Sequence, residues 1–140
     1  MNISHKATLI LLLSFIFTCA KADVVVVVSA TSTVNSLTKN QVSNIFLGKT
    51  SSFPNGDKAI AIDQKDGSSE WIDFYKKVSG KSDSQLKSYW ATLIFSGRKQ
   101  PPKQLADSSE VKKSISSNPS QISYIAEETV DSSVKVVLKP

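Results

Sequence analysis

Four short apolar runs mark the candidate strands of this chain, at residues 24–28, 59–62, 122–125 and 134–138. The first of them is five consecutive valines. A β-branched run without polar alternation is typical of a strand that is covered on both faces, as in parallel sheets. The pattern therefore predicts that residues 24–28 form a central strand.

Apolar residues at helical spacing predict four helices between these strands. Three of them are predicted at residues 39–47, 69–78 and 108–117, and one begins after residue 82 or 83 and ends near residue 95. Thr38, Ser82 or Asp83, and Asp107 are suitable N-caps, because their side-chain oxygens can accept from the first unpaired N–H groups. Residues 97–103 are predicted to form a basic, proline-stiffened loop. Alternation of strands and helices predicts an α/β domain with a mostly parallel or mixed sheet flanked by helices.

The aromatic residues of the second and third helices are predicted to pack in the core rather than to form a stacking platform. In the third helix, the residues expected to face inward are Leu86, Tyr89, Trp90, Leu93 and Ile94. In the second helix, the apolar face is formed by Trp71, Ile72, Phe74, Tyr75 and Val78.

The first 22 residues have the pattern of a secretory signal peptide. Lys6 precedes an apolar run over residues 9–17, and residues 20–22 form a small-x-small cleavage site. Cleavage after Ala22 would leave a single domain over residues 23–140. Lipid attachment at Cys19 is the weaker alternative, because the residues before it are not the small ones that lipoprotein processing needs. The pattern predicts a secreted, periplasmic protein.

Composition then excludes several kinds of chemistry. The single histidine, His5, and the single cysteine, Cys19, both lie in the predicted signal segment. The remaining chain therefore offers no thiol or histidine for nucleophilic catalysis or for a zinc site. We expect no enzyme activity and no cofactor. Without Lys6 and Lys21 the formal net charge falls from +5 to +3, and no basic stripe alternates with aromatics, which argues against a nucleic-acid partner.

The stretch from residue 59 to 71 offers the best candidate binding site. It is predicted to be a strand, a glycine turn, and then two serines that open a helix. Unpaired N–H groups and the positive end of the helix dipole suit an anion, and Gly67, Ser68 and Ser69 would let a small oxyanion approach. The structural alternative is that Ser68 is only an N-cap and Gly67 only a turn residue.

Other polar residues give weaker candidates. Three hydroxyl residues follow the first strand, namely Ser29, Thr31 and Ser32. They are secondary candidates because ligands bind beyond the carboxyl ends of strands in α/β sheets, and the alternative is that they form local turns. Asp63 and Asp66 could hold a hard cation, or they could serve turn and capping chemistry. The loop with Arg98, Lys99 and Lys103 is either solvated or a contact site for a partner.

Three segments together resemble phosphate-binding proteins of ABC phosphate importers. Residues 34–49 (VNSLTKNQVSNIFLGK) are similar to that family's "sLt…qv..IFlGk" segment. Residues 66–69 (DGSS) are similar to its "DGSGT" loop, and residues 118–125 (NPSQISYI) to its "pgaIGYv" strand. The order of the three is the family order. The resemblance implies a type 2 periplasmic-binding-protein fold and the binding of phosphate for transport.

The chain departs from that family in two respects. It has room for one lobe, whereas family members clamp the anion between two. Gln64 stands where the family has an arginine, Ser69 stands at its second glycine and Glu70 at its threonine. A glutamine cannot supply the charge-assisted, bidentate hold of an arginine, and Lys65 would be the substitute point charge.

Two functional hypotheses follow from the sequence. The first is a periplasmic, single-lobe protein that binds phosphate, or a similar small oxyanion such as sulfate or a carboxylate, at residues 64–69. The second is a protein-interaction module of the cell envelope that has kept the fold without the ligand. Its partner would be an envelope membrane protein or a second copy of the chain.

Overall fold

A computed structural model describes residues 23–140, and the predicted signal segment lies outside the described residues. The strands are β1 Val24–Ser29, β2 Ile60–Gln64, β3 Lys103–Leu105, β4 Gln121–Ala126 and β5 Val134–Leu138. The helices are α1 Lys39–Phe46, α2 Ser69–Ser79, α3 Asp83–Phe95 and α4 Ser108–Ser116, with a 3-10 turn at Glu127–Thr129. The predicted α/β class is confirmed.

The strands form one mixed sheet in the order β3-β2-β4-β1-β5. β2 pairs parallel with β3 and β4, whereas β1 pairs antiparallel with β4 and β5. The prediction that β1 is central and covered on both faces is confirmed, because all six of its residues are buried. The predicted mixed sheet is confirmed, although β1, whose valine run is typical of parallel sheets, is antiparallel to both of its neighbours. A valine run reports burial of both faces, and it carries no information on the direction of neighbouring strands.

Two apolar layers cover the two faces of the sheet. Val24, Val26 and Val28 of β1 belong to the larger layer, which contains the buried side chains of α1, α2 and α3. Val25 and Val27 belong to the smaller layer, which packs against α4. The alternation of β1 side chains between two hydrophobic layers explains why its sequence needs no polar position.

β3 was not predicted, because its first residue, Lys103, falls at the end of the predicted loop. The strand pairs three residues with β2, placing Gln104 opposite Asp63. Two of its three residues are polar and exposed. A strand this short at the edge of a sheet leaves no periodicity that a sequence pattern could detect.

Most of the predicted aromatic core is confirmed. Trp71, Phe74, Tyr75 and Trp90 are buried. Ile72 and Ile94, which were predicted to lie on apolar faces, are 50% and 44% exposed, and the predictions for these two residues are wrong. The last turn of α3 extends past the layer that Leu86 and Trp90 fill, so this turn leaves apolar side chains in solvent. The following residue, Phe95, is 96% exposed.

Candidate functional site

The turn between β2 and α2 has the form that the sequence predicts. Gly67 has a φ of +77°, a backbone conformation that favours glycine, and the N–H of Ser68 donates to the carbonyl of Lys65 at 3.1 Å. The side chain of Ser68 accepts from the N–H of Trp71 at 3.3 Å and so caps α2. The predicted N-cap role of Ser68 is therefore confirmed.

Three backbone donors stand open at this helix start. Within the described residues, the N–H groups of Gly67, Ser69 and Glu70 have no hydrogen-bond acceptor. Gly67 and Ser69 are also exposed to solvent. Such open donors, together with the positive end of the helix dipole, favour an anion.

Carboxylates surround the same turn. Glu70 accepts a hydrogen bond from the hydroxyl of Ser69 at 3.0 Å, so one anionic group already lies at the helix start. Asp66 is exposed, and within residues 23–140 it has no cationic partner. Lys65 is exposed and likewise forms no ion pair in this part of the chain. The turn thus combines open donors with a negative local field.

Gln64 is only 1% exposed and points away from the turn. Its side-chain amide donates to the hydroxyl of Ser108 at 3.0 Å and to the carbonyl of Tyr124 at 2.9 Å. Both donors of the amide are thus used to join β2 to α4 and β4. At the position where the resembled family has an arginine, this chain has a side chain with a structural role.

Asp63 lies on the opposite face of β2 and is 3% exposed. One of its oxygens, Oδ1, accepts from the hydroxyl of Tyr124 and from the N–H of Gln64, and the other, Oδ2, accepts from the hydroxyl of Tyr75 at 2.6 Å. Burial raises the pKa of Asp63 to about 6, and these hydrogen bonds limit the rise. Burial and the neighbouring carboxylate also raise the pKa of both tyrosines.

Sequence reasoning missed this carboxylate–tyrosine network. The available signal was an acid inside an apolar strand, together with two tyrosines at positions predicted to be buried, since a buried acid needs hydrogen-bond donors. No cluster of three or more potential metal-ligating side chains occurs among residues 23–140. Asp63, one of the two proposed cation ligands, is turned toward the tyrosines.

Ser29, Thr31 and Ser32 lie at the other end of the sheet. β1 runs antiparallel to β4, and β2 runs parallel to β4. The carboxyl ends of β1 and β2 therefore point toward opposite ends of the sheet along the strand direction. Ser29 is buried, shares a hydrogen bond of 2.9 Å with the hydroxyl of Thr31 and donates to the carbonyl of Ser116 at 3.3 Å. Ser32 accepts from the N–H of Val34. The structure therefore does not bring these hydroxyls together with Gly67 and Ser68.

A pocket of about 470 Å³ lies between the end of α1 and the end of α3. Lys49 and Lys99 line it, together with Thr50, Ser51 and the ring of Trp90. Its charge is opposite in sign to that of the turn at Gly67. In this pocket an anion would meet two lysine side chains, whereas the turn at Gly67 offers mainly backbone donors.

Comparison with solved structures identifies the fold. A phosphate ABC transporter substrate-binding protein from Clostridium perfringens, solved with bound phosphate, matches with a TM-score of 0.66 and 20% identity over 82% of this chain and 44% of its own. An ABC-type phosphate transport receptor from Vibrio cholerae matches with a TM-score of 0.65 and 18% identity over 82% of this chain and 45% of its own. The chain has the fold of these substrate-binding proteins. PstS from Borrelia burgdorferi gives the same coverage of this chain, with a TM-score of 0.57, 16% identity and 46% of its own length.

The resemblance seen in the sequence is thus confirmed at the level of the fold. The chain spans less than half the length of the solved proteins that it matches. No protein-family model and no curated protein matches the sequence. Within residues 23–140, no helix has both the length and the apolar character needed to span a membrane.

Proposed function

We propose that this protein binds phosphate, or a similar small oxyanion, at the start of α2 without catalysing a reaction. The observation that carries the proposal is the set of open N–H groups at Gly67, Ser69 and Glu70. The fold shared with phosphate-transport proteins supports it. In this proposal the protein is a periplasmic, substrate-binding-protein-like component associated with phosphate ABC transport, and it needs no cofactor.

The proposed site uses backbone donors and little side-chain charge. The three N–H groups would donate to the phosphate oxygens, the hydroxyl of Ser69 would turn from Glu70 to the anion, and Lys65 would contribute a point charge. Gln64 contributes no contact, because its amide is buried against Ser108. Because the turn is exposed to water and Glu70 and Asp66 lie beside it, we expect residues 23–140 to bind phosphate with a Kd of roughly millimolar.

Ser68→Asp is expected to abolish phosphate binding while the fold stays intact. Aspartate is as good an N-cap as serine, so α2 remains capped, but its charge repels an anion at the open donors. The matched control is Ser82→Asp, because Ser82 caps α3 in the same way, accepting from the N–H of Gln85 at 3.3 Å. The measurement is calorimetric titration with phosphate, with sulfate as the second anion.

Loss of phosphate binding in Ser68→Asp with retention in Ser82→Asp supports the proposal. Absence of heat and of any rise in melting temperature at millimolar phosphate in the unaltered protein would overturn it, because a ligand of the native state must raise that temperature. Equal loss in both variants would show a general charge effect in place of a site at the turn.

A protein-interaction module is the second candidate, favoured by the surface at the end of α3. Phe95 is 96% exposed and is followed by Arg98 and Lys99. Within the described part of the chain, neither of these two cations nor Lys103 has a carboxylate within 4 Å. An exposed ring and uncompensated cations in one short segment suit a partner with an acidic, partly apolar surface.

Changing Arg98, Lys99 and Lys103 together to serine is expected to abolish capture of that partner from envelope extract. The control removes the same charge elsewhere, by changing Lys39, Lys58 and Lys113 to serine, three exposed lysines. Affinity capture followed by protein identification is the measurement. Retained capture by the first variant, or equal loss in both, would rule out the α3 end as the contact surface.

A further inference from the structure

A groove of about 250 Å³ lies beside the turn at Gly67 and has a lining unlike that of an anion site. Its walls come from α2, α3 and the segment before β3, and they include Trp71, Leu86, Trp90, Ile94 and Pro101. Two carboxylate residues, Asp63 and Asp66, also line it. The groove is therefore apolar on its sides and acidic at the end that β2 forms.

The acidic end has an unfilled acceptor. Each carboxylate oxygen can accept two hydrogen bonds. In Asp63, Oδ1 accepts two, whereas Oδ2 accepts one, from Tyr75, among the described residues. Asp63 is only 3% exposed and lines the groove, so a group bound in the groove would meet this carboxylate away from bulk water.

The negative charge there is also uncompensated. Within residues 23–140, neither Asp63 nor Asp66 forms an ion pair, and their mutual repulsion contributes to the raised pKa of Asp63. Lys87 also lines the groove, but its ammonium pairs with Asp83 at 3.2 Å. A buried carboxylate without a cation is costly, and a bound cation would relieve that cost.

We propose that this groove binds a small organic cation, an ammonium group carried on an aromatic or aliphatic body. The ammonium group would donate to Asp63 Oδ2 and lie near Asp66, and the body would contact the apolar walls. Tryptophan rings also attract cations through their faces. The groove is large enough for one small molecule, and the proposal does not depend on phosphate binding at the turn.

The test compares 2-phenylethylamine with 2-phenylethanol, which has the same skeleton without the charge. The chain has two tryptophans, and both line the groove, so tryptophan fluorescence of the purified protein responds to a ligand bound there, and the variants below locate the binding. Near pH 8 both Asp63, with its pKa of about 6, and the amine are ionised. We expect saturable binding of the amine and at least about tenfold weaker binding of the alcohol.

Two variants and one control locate the binding. Asp66→Asn, at an exposed position, is expected to weaken amine binding about threefold to fivefold. Asp63→Asn is expected to remove most of the preference for the amine over the alcohol, with its folding checked by circular dichroism. Glu128→Gln removes an equal charge from an exposed position in the turn after β4 and should leave binding unchanged.

Each contrary result overturns the proposal. Equal affinity for the amine and the alcohol would show an apolar groove without selection for charge. Absence of a saturable fluorescence change would show that the groove does not take this class of ligand. An effect of Glu128→Gln equal to that of Asp66→Asn would show a general charge effect.

Discussion

The free energy of unfolding is expected to fall by about 2 to 3 kcal/mol between about pH 4 and pH 7 because of Asp63 alone. The pKa of Asp63 is about 6 in the folded chain and 3.8 as the ordinary value. Between these two values the folded state binds the proton more tightly than the unfolded state does. The stabilisation is therefore fully present below the unfolded pKa and is lost as the pH rises through about 6.

Asp63→Asn removes this titration and keeps the size of the side chain. We expect the variant to gain stability relative to the unaltered protein as the pH rises from about 4 to 7. Chemical denaturation at several pH values gives the difference directly, and contributions from all other groups cancel. Glu128→Gln, at an exposed carboxylate, is the matched control for the change of charge. Parallel pH profiles for Asp63→Asn and the unaltered protein would contradict the assignment.

Phe74→Ala is expected to lower the free energy of unfolding by about 4 kcal/mol, the largest effect of a single substitution proposed for this chain. Phe74 is fully buried, and its ring stacks on Tyr124 with centroids 3.9 Å apart and an interplanar angle of 6°. It also contacts Phe46 and Tyr75, at 4.7 and 4.9 Å between centroids. Removing the ring leaves a cavity among three other rings, which cannot close around it without moving β4 or α1.

Equilibrium denaturation measures this loss as a lower midpoint with an unchanged denaturant slope. Ile72→Ala is the control on the same helix, because Ile72 is 50% exposed and should change stability by less than about 1 kcal/mol. Similar losses for the two variants would show that α2 does not pack on the sheet as described.

The sequence predicted the helices well because each combines an apolar periodicity with a capping side chain. Thr38 and Ser82, for example, both form capping boxes with a glutamine three residues on. The direction of β1 could not be predicted, since strand direction depends on distant pairing partners. β3 is too short to leave a pattern.

The sequence predicted the backbone conformation of the candidate site, but it did not predict the orientation of the side chains around it. Gly67 and Ser68 have the conformation and cap that their residue types require. The orientation of Gln64 and Asp63 could not be inferred, because both faces of β2 are covered near its end and each face holds its own polar network. Alternation along the strand assigns the two residues to opposite faces, but it does not indicate which groups form hydrogen bonds with them on each face.

The most direct test of the proposed phosphate site is a phosphate titration followed by amide chemical shifts in nuclear magnetic resonance. We expect saturable shifts centred on the N–H groups of Gly67, Ser69 and Glu70 with phosphate, and weaker or no shifts with sodium chloride at the same concentration. Shifts centred instead on Lys49, Thr50 and Lys99 would place the anion in the basic pocket and contradict a site at the start of α2. The absence of any saturable shift would contradict it as well.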